Sequence, residues 1–367
     1  MAPHILFIAN EVLGWSSYAE QCSSALMARD DIRATVLRRK LPRYKTMLMR
    51  RHADGELARK LRPLDPISAH AGFLGQDIRI AIQKHKPDLV HVAAHWPAGA
   101  LPIGADAPAM SVALDCTRAA IGRDLPLPGW STKECRTEAA LLARADHVFC
   151  MSGWAAQSVV RDYGVAAERV TVQVPSLSPD HWPKQVPATD RLPQILFVGN
   201  DLSRKGAHRL AGWVNGPLKG LCHLHIVSKA PDPGLAGPAV TYHGRVPHDR
   251  LMSDIFPQMD IFCLPTRLDM SPHVLVEAAA AGLPAVASRI CGTLDLVRDK
   301  ETGVLLDPDD DEGFVLALKQ LIADPALRQK MALEARALAR RTFDSQVNFD
   351  RMIDILVEVV RNRGVMR

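Results

Sequence analysis

The stretch DIFCLPTRLDMSPHVLVEAAAAGLPAVAS, residues 260–288, decides the fold of this chain. It opens with an apolar run, IFCLPT (261–266), and closes with a second, PAVAS (284–288), both typical of buried strands. The signals of a helix lie between them in the right order: an N-cap serine, a proline for the first helical position, four helix-favouring alanines and a terminating glycine (Ser271, Pro272, Ala278–Ala281, Gly282). This order predicts a β-α-β unit and therefore a parallel sheet.

The same alternation of apolar runs and helical stretches continues on both sides of this unit. The further runs lie at 4–10, 34–39, 89–94, 109–115, 147–152, 170–176, 194–200, 224–229, 240–245 and 303–307. Near-continuous apolar strands are needed where helices cover both faces of a parallel sheet. The sequence therefore predicts an α/β chain with two doubly wound halves.

A proline-rich segment separates the two series of strands. PSLSPDHWPKQVPATDRLP (175–193) contains five prolines, which neither donate to a sheet ladder nor favour helix, so we interpret it as the interdomain linker. The predicted domains are residues 1–183 and 190–344. A final helix at 345–367 has apolar residues at the spacing of one helical face, and we expect it to pack back on the first domain.

Composition excludes several classes of protein. Of 367 residues, 47% are hydrophobic and 23% charged, which rules out disordered, collagen-like and disulfide-stapled chains. Seven scattered cysteines without a C-x-x-C pair indicate no zinc site. The net charge of +5 is too small to indicate nucleic-acid binding, and no apolar run resembles a leader or a membrane span. We expect a cytoplasmic protein that requires no metal or other cofactor.

The helix of the opening stretch has features suited to a phosphorylated, sugar-bearing ligand. Its first N–H groups, near His273 and Val274, favour an anion. The carboxylates of Asp269 and Glu277 can accept hydrogen bonds from sugar hydroxyls. The alternative is that Asp269 is an ordinary loop acid and Glu277 a surface charge of the helix.

A second strand end in the same half suits a diphosphate. The run 194–200 ends in Gly199 and Asn200, and Arg204 and Lys205 follow before the next helix. A guanidinium fork and an ammonium beside glycines can hold phosphate oxygens. The alternative is that both cations are solvated turn residues.

The first half offers weaker candidates at its strand ends, where open parallel sheets bind ligands. Gly14 and Ser16 lie in the loop after the first strand, which is of a kind that can approach a ligand closely. His95, a candidate for binding an acceptor, follows the third strand, and Asp115, a candidate catalytic residue, ends the fourth. A lone histidine is more often structural, and both interpretations stay open.

A basic segment lies at residues 29–62, with twelve Lys or Arg against four Asp or Glu. Within it Arg38, Arg39 and Lys40 belong to LRRKLPRYKTMLMRR (37–51), whose mixture of cations and apolar residues suits a phosphorylated acceptor or an anionic membrane surface. The alternative is a solvated basic loop.

Five acids at 307–312 could suggest a metal site. They precede a predicted helix, however, and acids stabilise the amino end of a helix. We therefore expect no metal at this run.

Motifs over most of the chain resemble those of family 4 glycosyltransferases of the GT-B fold. In the second half these are VGNDLSRKG, HGRVPHDRL, PTRLDMSPHVLVEAAAAGLPAVAS and CGTLDLVRDKETGVLLDPDD; in the first half they are ARADHVFCMSGWAAQSVV and RVTVQVPS. The resemblance implies two Rossmann-like domains that face a central cleft. It implies a nucleotide-sugar donor on the second domain and, mainly on the first, a sugar, glycolipid or other acceptor with a free hydroxyl. It further implies that a hexose-like sugar is transferred with retention, as in cell-envelope polysaccharide or glycolipid synthesis, including at the inner face of the membrane.

The resemblance also implies roles for single residues. Glu277 matches the acid that holds the nucleotide ribose, and Asp269 the position, usually Glu, that contacts the donor sugar. Lys205 matches the diphosphate lysine, with Arg204 its neighbour. Gly14 matches the phosphate loop, and His243 to Val246, including Arg245, match the region that contacts the base. Two residues depart from the family pattern: Asp115 stands where an active-site histidine is common, and Asn200 stands where an arginine is common.

Two other functions stay open from the sequence. One is a GT-B sugar-nucleotide epimerase, which would share the nucleotide site. The other is a non-catalytic nucleotide-sugar-binding protein, suggested by the residues at positions 115, 200 and 269.

Overall fold

The structure is a computed structural model that describes residues 2–11, 14–42, 44–45, 64–125, 127, 130–179, 182–183, 191–229, 232–235 and 237–365. The chain forms two compact units: residues 1–173 with 346–367 are unit 1, and residues 174–345 are unit 2.

The first unit ends ahead of the predicted boundary at 183. Backbone hydrogen bonds explain the difference, because the Leu177 N–H donates to the Phe343 carbonyl at 2.9 Å and the Ser345 N–H donates to the Leu177 carbonyl at 3.2 Å. These bonds tie the start of the predicted linker into unit 2. Residues 184–190 of that linker lie outside the described part of the chain.

Unit 1 contains six parallel strands in the order β2-β1-β3-β4-β5-β6. The strands are β1 (His4–Asn10), β2 (Arg33–Arg39), β3 (Leu89–Val92), β4 (Ala109–Leu114), β5 (His147–Cys150) and β6 (Val170–Val172). The helices are α1 (Trp15–Ala28), α2 (Pro66–His85), α3 (Arg118–Asp124), α4 (Thr132–Arg144), α5 (Gly153–Arg161) and the C-terminal helix (Ser345–Val365), with 3₁₀ turns at Trp96–Ala100 and Ala167–Arg169.

Apolar side chains of β1 alternate between the two faces of this sheet. Ile5 and Phe7 join a buried cluster with α1 and with Met352 and Leu356 of the C-terminal helix. Leu6 and Ile8 join a second cluster with residues of α2, α4 and α5. Burial on both faces is why the strand sequence is continuously apolar.

Unit 2 also contains six parallel strands, in the order β12-β11-β10-β7-β8-β9. They are β7 (Gln194–Val198), β8 (His223–Val227), β9 (Val240–Tyr242), β10 (Ile261–Leu264), β11 (Ala285–Ser288) and β12 (Gly303–Leu306). The longer helices are α6 (Ala207–Asn215), α7 (His273–Ala281), α8 (Asp311–Ala323) and α9 (Pro325–Thr342). Shorter helical segments lie at Pro233–Leu235, His248–Arg250, Leu251–Ile255, Phe256–Gln258 and Thr293–Leu296.

The two sheets confirm the predicted α/β class with two doubly wound halves. Each predicted apolar run contains a strand, and most strands end before the run does. In these cases the last residues of the predicted run are not part of the strand, because they belong to the loop at the carboxyl edge of the sheet. The candidate residues of unit 2 lie in those loops and in the helices that follow them.

Candidate functional site

The two candidate loops of unit 2 are neighbours because β7 and β10 are neighbours. Ile261 and Phe262 of β10 pair with Ile195 and Leu196 of β7 in a parallel register. The carboxyl ends of both strands therefore lie at the same edge of the sheet, and the loops 199–206 and 265–272 leave from that edge.

Gly206 allows these two loops to touch. Its φ is +84°, and a Cβ built on it would lie 2.3 Å from the carbonyl oxygen of Pro265. Only glycine tolerates both the left-handed conformation and this approach. The contact continues along the loops, where the Arg267 N–H donates to the Arg204 carbonyl at 3.2 Å.

The close approach brings a lysine and an aspartate together. The Nζ of Lys205 lies 3.3 Å from Oδ2 of Asp269, and Nη1 of Arg204 lies 3.9 Å from the same oxygen. The side chains of Lys205 and Asp269 are 16% and 15% exposed. Arg204 is oriented by Asp201, whose Oδ2 lies 3.0 Å from its Nε, and by the Leu268 carbonyl. Two cations and one carboxylate thus share one half-enclosed edge.

Helix α7 begins one residue later than the sequence predicts. Ser271 is not the N-cap; Pro272 holds that position with φ −71° and ψ 104° and supplies no side-chain hydrogen bond. The extended ψ of Pro272 makes His273 the first helical residue. The N–H groups of His273 and Val274, in the first turn, have no partner within the helix and can bind an acceptor.

Glu277 is buried in the second turn of α7 and pairs with a residue that the sequence did not indicate. Its Oε1 lies 3.0 Å from Nε2 of His248, which begins a short helix after β9. The hydrogen bond and the charge of Glu277 raise the pKa of His248 above its ordinary value. The sequence signal for His248 was its place in the motif HGRVPHDRL, three residues after Arg245, which is itself exposed.

His273 links these groups electrostatically. Burial lowers its pKa, while the charges of Glu277 and Asp269 act to raise it and those of Lys205 and His248 act to lower it. We call the Lys205–Asp269 pair, the Glu277–His248 pair and His273 together the α7 cluster. It combines carboxylates that accept hydrogen bonds with cations and helix N–H groups that bind an anion.

The predicted residues of unit 1 have several different environments. Gly14 and Ser16 are exposed at the start of α1, where Gly14 is an N-cap without a side-chain hydrogen bond. Asp115 is partly buried directly after β4, and the Cys116 thiol donates to its Oδ1 at 3.4 Å. Both Gly14 and Asp115 lie beyond carboxyl ends of strands, as predicted from the sequence.

His95, predicted to bind an acceptor, is built into a buried polar network. It is 3% exposed, and its Nε2 lies 3.1 Å from Oε1 of Glu138. The other oxygen of Glu138 accepts from the Arg118 N–H at 2.9 Å and from the Tyr163 hydroxyl. Burial acts to raise the pKa of Glu138, but the hydrogen bonds and charge of its partners lower it overall. This environment favours a structural role for His95.

The basic segment is only partly described. Arg38 pairs with Glu11 at 2.7 Å and with Glu20 at 2.8 Å, and Arg39 pairs with Asp77 at 2.7 Å. Acids of unit 1 thus balance two of the three cations predicted to bind an acceptor, and Lys40 is exposed. Residues 46–63 lie outside the described residues, so acceptor and membrane contact by this segment stay predictions.

The acidic run holds no metal cluster in the described part of the chain. Asp310 caps α8 by accepting from the Gly313 N–H at 2.8 Å. Asp311 pairs with Arg209, and Asp309 pairs with Arg267 at 2.8 Å.

Among the described residues, no helix is long and apolar enough to cross a bilayer.

The two six-stranded parallel sheets form a Rossmann-like fold of the GT-B class, and comparison with known proteins identifies the family. Residues 14–175 match a family model described as Glycosyltransferase Family 4, and residues 192–324 match one described as Glycosyl transferases group 1. These two matches cover both units. The chain belongs to the family 4 glycosyltransferases.

Curated relatives are distant. A lipopolysaccharide core biosynthesis glycosyltransferase of Rhizobium meliloti (strain 1021) is 28% identical over 174 residues, 45% of this chain and 49% of the relative. A D-inositol 3-phosphate glycosyltransferase of Acidothermus cellulolyticus (strain ATCC 43068 / DSM 8971 / 11B) is 26% identical over 308 residues, 76% of this chain and 63% of the relative. The matches therefore span between about half and two thirds of the length of these relatives.

Solved structures support the fold over nearly the whole chain. The sucrose-phosphate synthase of Thermosynechococcus elongatus superposes with a TM-score of 0.77 at 17% identity and covers 98% of this chain and 100% of that one. Anabaena HepE, solved in complex with UDP and glucose, superposes with a TM-score of 0.70 at 17% identity and covers 97% of this chain and 100% of that one. At these identities the likeness concerns the fold alone.

Proposed function

We propose that this protein transfers a hexose-like sugar from a nucleoside diphosphate sugar to an acceptor hydroxyl, with retention at the anomeric carbon. The observation that carries the proposal is the α7 cluster, in which Lys205 pairs with Asp269 and Glu277 pairs with His248. The lipopolysaccharide relative supports an acceptor in envelope polysaccharide or glycolipid synthesis.

The cluster has the charges that departure of a nucleoside diphosphate requires. When the bond to the anomeric carbon breaks, negative charge grows on the diphosphate, and fixed cations and N–H groups stabilise it. Lys205, Arg204 and the first turn of α7 supply these groups. Because Lys205 already faces Asp269 at 3.3 Å, its ammonium is held in place before the donor arrives.

The two carboxylates of the cluster orient the donor. Glu277 accepts hydrogen bonds from the ribose hydroxyls, and Asp269 accepts from hydroxyls of the transferred sugar. In unit 1, Gly14 and Ser16 are proposed to bind the donor, and Asp115 is proposed as a catalytic residue. Held together with the donor, the acceptor hydroxyl gains the rate advantage of proximity. The scheme requires no metal.

The first experiment is a thermal-shift screen of UDP-, GDP- and ADP-sugars, because a ligand that binds only the folded state raises Tm. The best donor then enters turnover assays with Lys205→Ala and Glu277→Gln. Both variants should lose at least about 100-fold in kcat/KM, corresponding to about 2.7 kcal/mol. Lys219→Ala and Glu334→Ala, which replace exposed residues of the same unit, are the matched controls. Wild-type rates in both cluster variants would refute the proposal.

A non-catalytic binding protein is the second candidate, because Asp115 stands where the family commonly has a histidine. Binding of a nucleoside diphosphate with no transfer to any sugar, glycolipid or water would favour this candidate.

Incubation of the donor alone tests the epimerase, since only that enzyme would rearrange the sugar without an acceptor.

A further inference from the structure

Unit 2 has a cavity of about 470 Å³ at the edge of its sheet opposite the α7 cluster. Its wall includes Met259 and Asp260, which directly precede β10, whereas Asp269 of the cluster follows the other end of that strand. The volume lies within the usual range of small-molecule sites, about 300–1,000 Å³. The cavity is therefore large enough for a ligand and is separated from the proposed donor site by the length of the strand.

Three arginines line the cavity, and among the described residues one of them is paired with an acid. Arg191 lies 2.7 Å from Asp260, which is also a lining residue. In the described residues, neither Arg328 nor Arg336 has a carboxylate within 4.0 Å. Helix α9, which contributes both, carries five Lys or Arg against one Glu. The cavity thus has an excess of positive charge.

The two unpaired guanidiniums are held in place by backbone carbonyls at the ends of other helices. Nη1 of Arg328 donates to the carbonyls of Leu321 and Ile322 at 2.6 and 2.9 Å, near the end of α8. Nη2 of Arg336 donates to the Ala281 carbonyl at 2.7 Å, at the end of α7. A guanidinium carries five N–H donors, so these bonds orient each group and leave donors for a ligand.

The interaction of Arg336 with α7 is tight. A Cβ at Gly282 would lie 2.2 Å from Nε of Arg336, so the side chain lies directly on the glycine that ends the helix. Burial and the neighbouring charge of Arg340 lower the pKa of Arg336, which is the effect expected of a cation without a compensating anion. An anion in the cavity would relieve that repulsion.

Besides the Arg191–Asp260 pair and Gln329, the wall has an apolar part that includes Pro257 and the exposed rim residue Leu333. A bare inorganic ion would leave most of 470 Å³ and this apolar surface without a contact. From the oriented guanidiniums and the apolar part of the wall we infer that the cavity binds a small organic anion, with a phosphate or carboxylate head on the side lined by Arg328 and Arg336 and a compact apolar body against Pro257 and Leu333.

Isothermal titration calorimetry with phenyl phosphate, benzoate and benzyl alcohol tests this inference on the whole protein. We expect at least one of the two anions to bind, and the neutral alcohol to bind at least 10-fold more weakly, a difference of about 1.4 kcal/mol. Comparison of the two anions shows which head group is preferred. Saturating UDP should leave the affinity unchanged, so the outcome is independent of the proposed transferase function.

A charge-matched pair of variants locates the site. The double variant Arg328→Gln/Arg336→Gln should weaken anion binding at least 10-fold. The control Lys330→Gln/Arg341→Gln removes two exposed cations of the same helix that do not line the cavity, and should change affinity less than about 2-fold, or 0.4 kcal/mol. If the cavity variant fails to fold, Leu333→Glu places a carboxylate at the exposed rim and should also weaken binding. Absence of binding by both anions up to about 10 mM, or equal loss in the cavity and control variants, would overturn the inference.

Discussion

Replacement of Gly206 by alanine tests whether the contact between the two unit 2 loops builds the α7 cluster. The left-handed conformation costs a non-glycine residue about 1–2 kcal/mol. The new Cβ would also lie 2.3 Å from the Pro265 carbonyl oxygen, and relief of such overpacking typically costs about 1–3 kcal/mol more. We therefore expect Gly206→Ala to lose about 2–5 kcal/mol of unfolding free energy.

Two other glycines of unit 2 separate these contributions. Gly220 has φ +77° with no atom within 4 Å of a built Cβ, so Gly220→Ala should lose only the backbone contribution of about 1–2 kcal/mol. Gly212 lies inside α6 with the same open space, and Gly212→Ala should gain about 0.5–1 kcal/mol. The three variants add the same methyl group in three different environments.

Unfolding is measured by calorimetry and circular dichroism, and UDP affinity by titration calorimetry. For a unit of this size each kcal/mol corresponds to about 2–4 °C in Tm, so Gly206→Ala should melt about 4–20 °C lower. It should also weaken UDP binding, because Lys205 directly precedes the displaced residue, whereas the controls should bind UDP normally. Equal stability of the Gly206 and Gly220 variants would refute the reasoning that the Pro265 contact constrains the loop.

Three further predictions concern pH and packing. His248 has a raised pKa in the fold, so its pairing with Glu277 stabilises the protein below the ordinary histidine pKa, and this stabilisation is lost as the pH rises through the raised value. The unfolding free energies of wild type and His248→Gln, measured in urea, should therefore differ more at pH 5.5 than at pH 9. A difference that stays constant with pH would argue against the pair. His91 is buried, with its pKa lowered to about 3, so the unfolded chain takes up this proton first as the pH falls. This residue alone should contribute about 2 kcal/mol to the stability lost between pH 7 and pH 5, and His91→Gln should lose that much less than wild type in the same assay. Met352 is fully buried against the unit 1 sheet, so Met352→Ala should lower the free energy of unfolding by about 2–5 kcal/mol. Glu358→Ala, on the exposed side of the same helix, should lower it by less than about 0.5 kcal/mol. Similar Tm values for the two variants would contradict the packing of this helix.

The strands were predictable because their signal is local. Six consecutive buried residues, five of them apolar, as in β4, need burial on both faces, and few folds other than a helix-covered parallel sheet provide it. The start of α7 was predicted one residue early, because Ser271 and Pro272 both suit the first helical positions. The choice between them depends on the ψ of Pro272, which local sequence does not specify.

The candidate site was partly predictable, since Lys205 and Asp269 lie in loops at strand ends, Glu277 lies in the helix after the second of these loops, and all three match a known motif. The partner of Glu277 was not, because His248 lies 29 positions away in a different loop. The buried position of His95 was also not predictable, since Glu138, Arg118 and Tyr163 come from separate helices and loops. A single histidine in a sequence does not reveal which elements will cover it.

By itself the sequence determined the alternation of strands and helices, the two halves and the family, because hydrophobic periodicity and short motifs are carried by neighbouring residues. Only the tertiary structure decided which charges meet. The pairing of Lys205 with Asp269 follows from the adjacency of β7 and β10 and from the contact at Gly206, and the arginine-lined cavity follows from the packing of α9 against the ends of α7 and α8. Electrostatic and hydrogen-bond energies depend on distances between residues far apart in the chain, and those distances exist only once the sheet order and the loop contacts are formed.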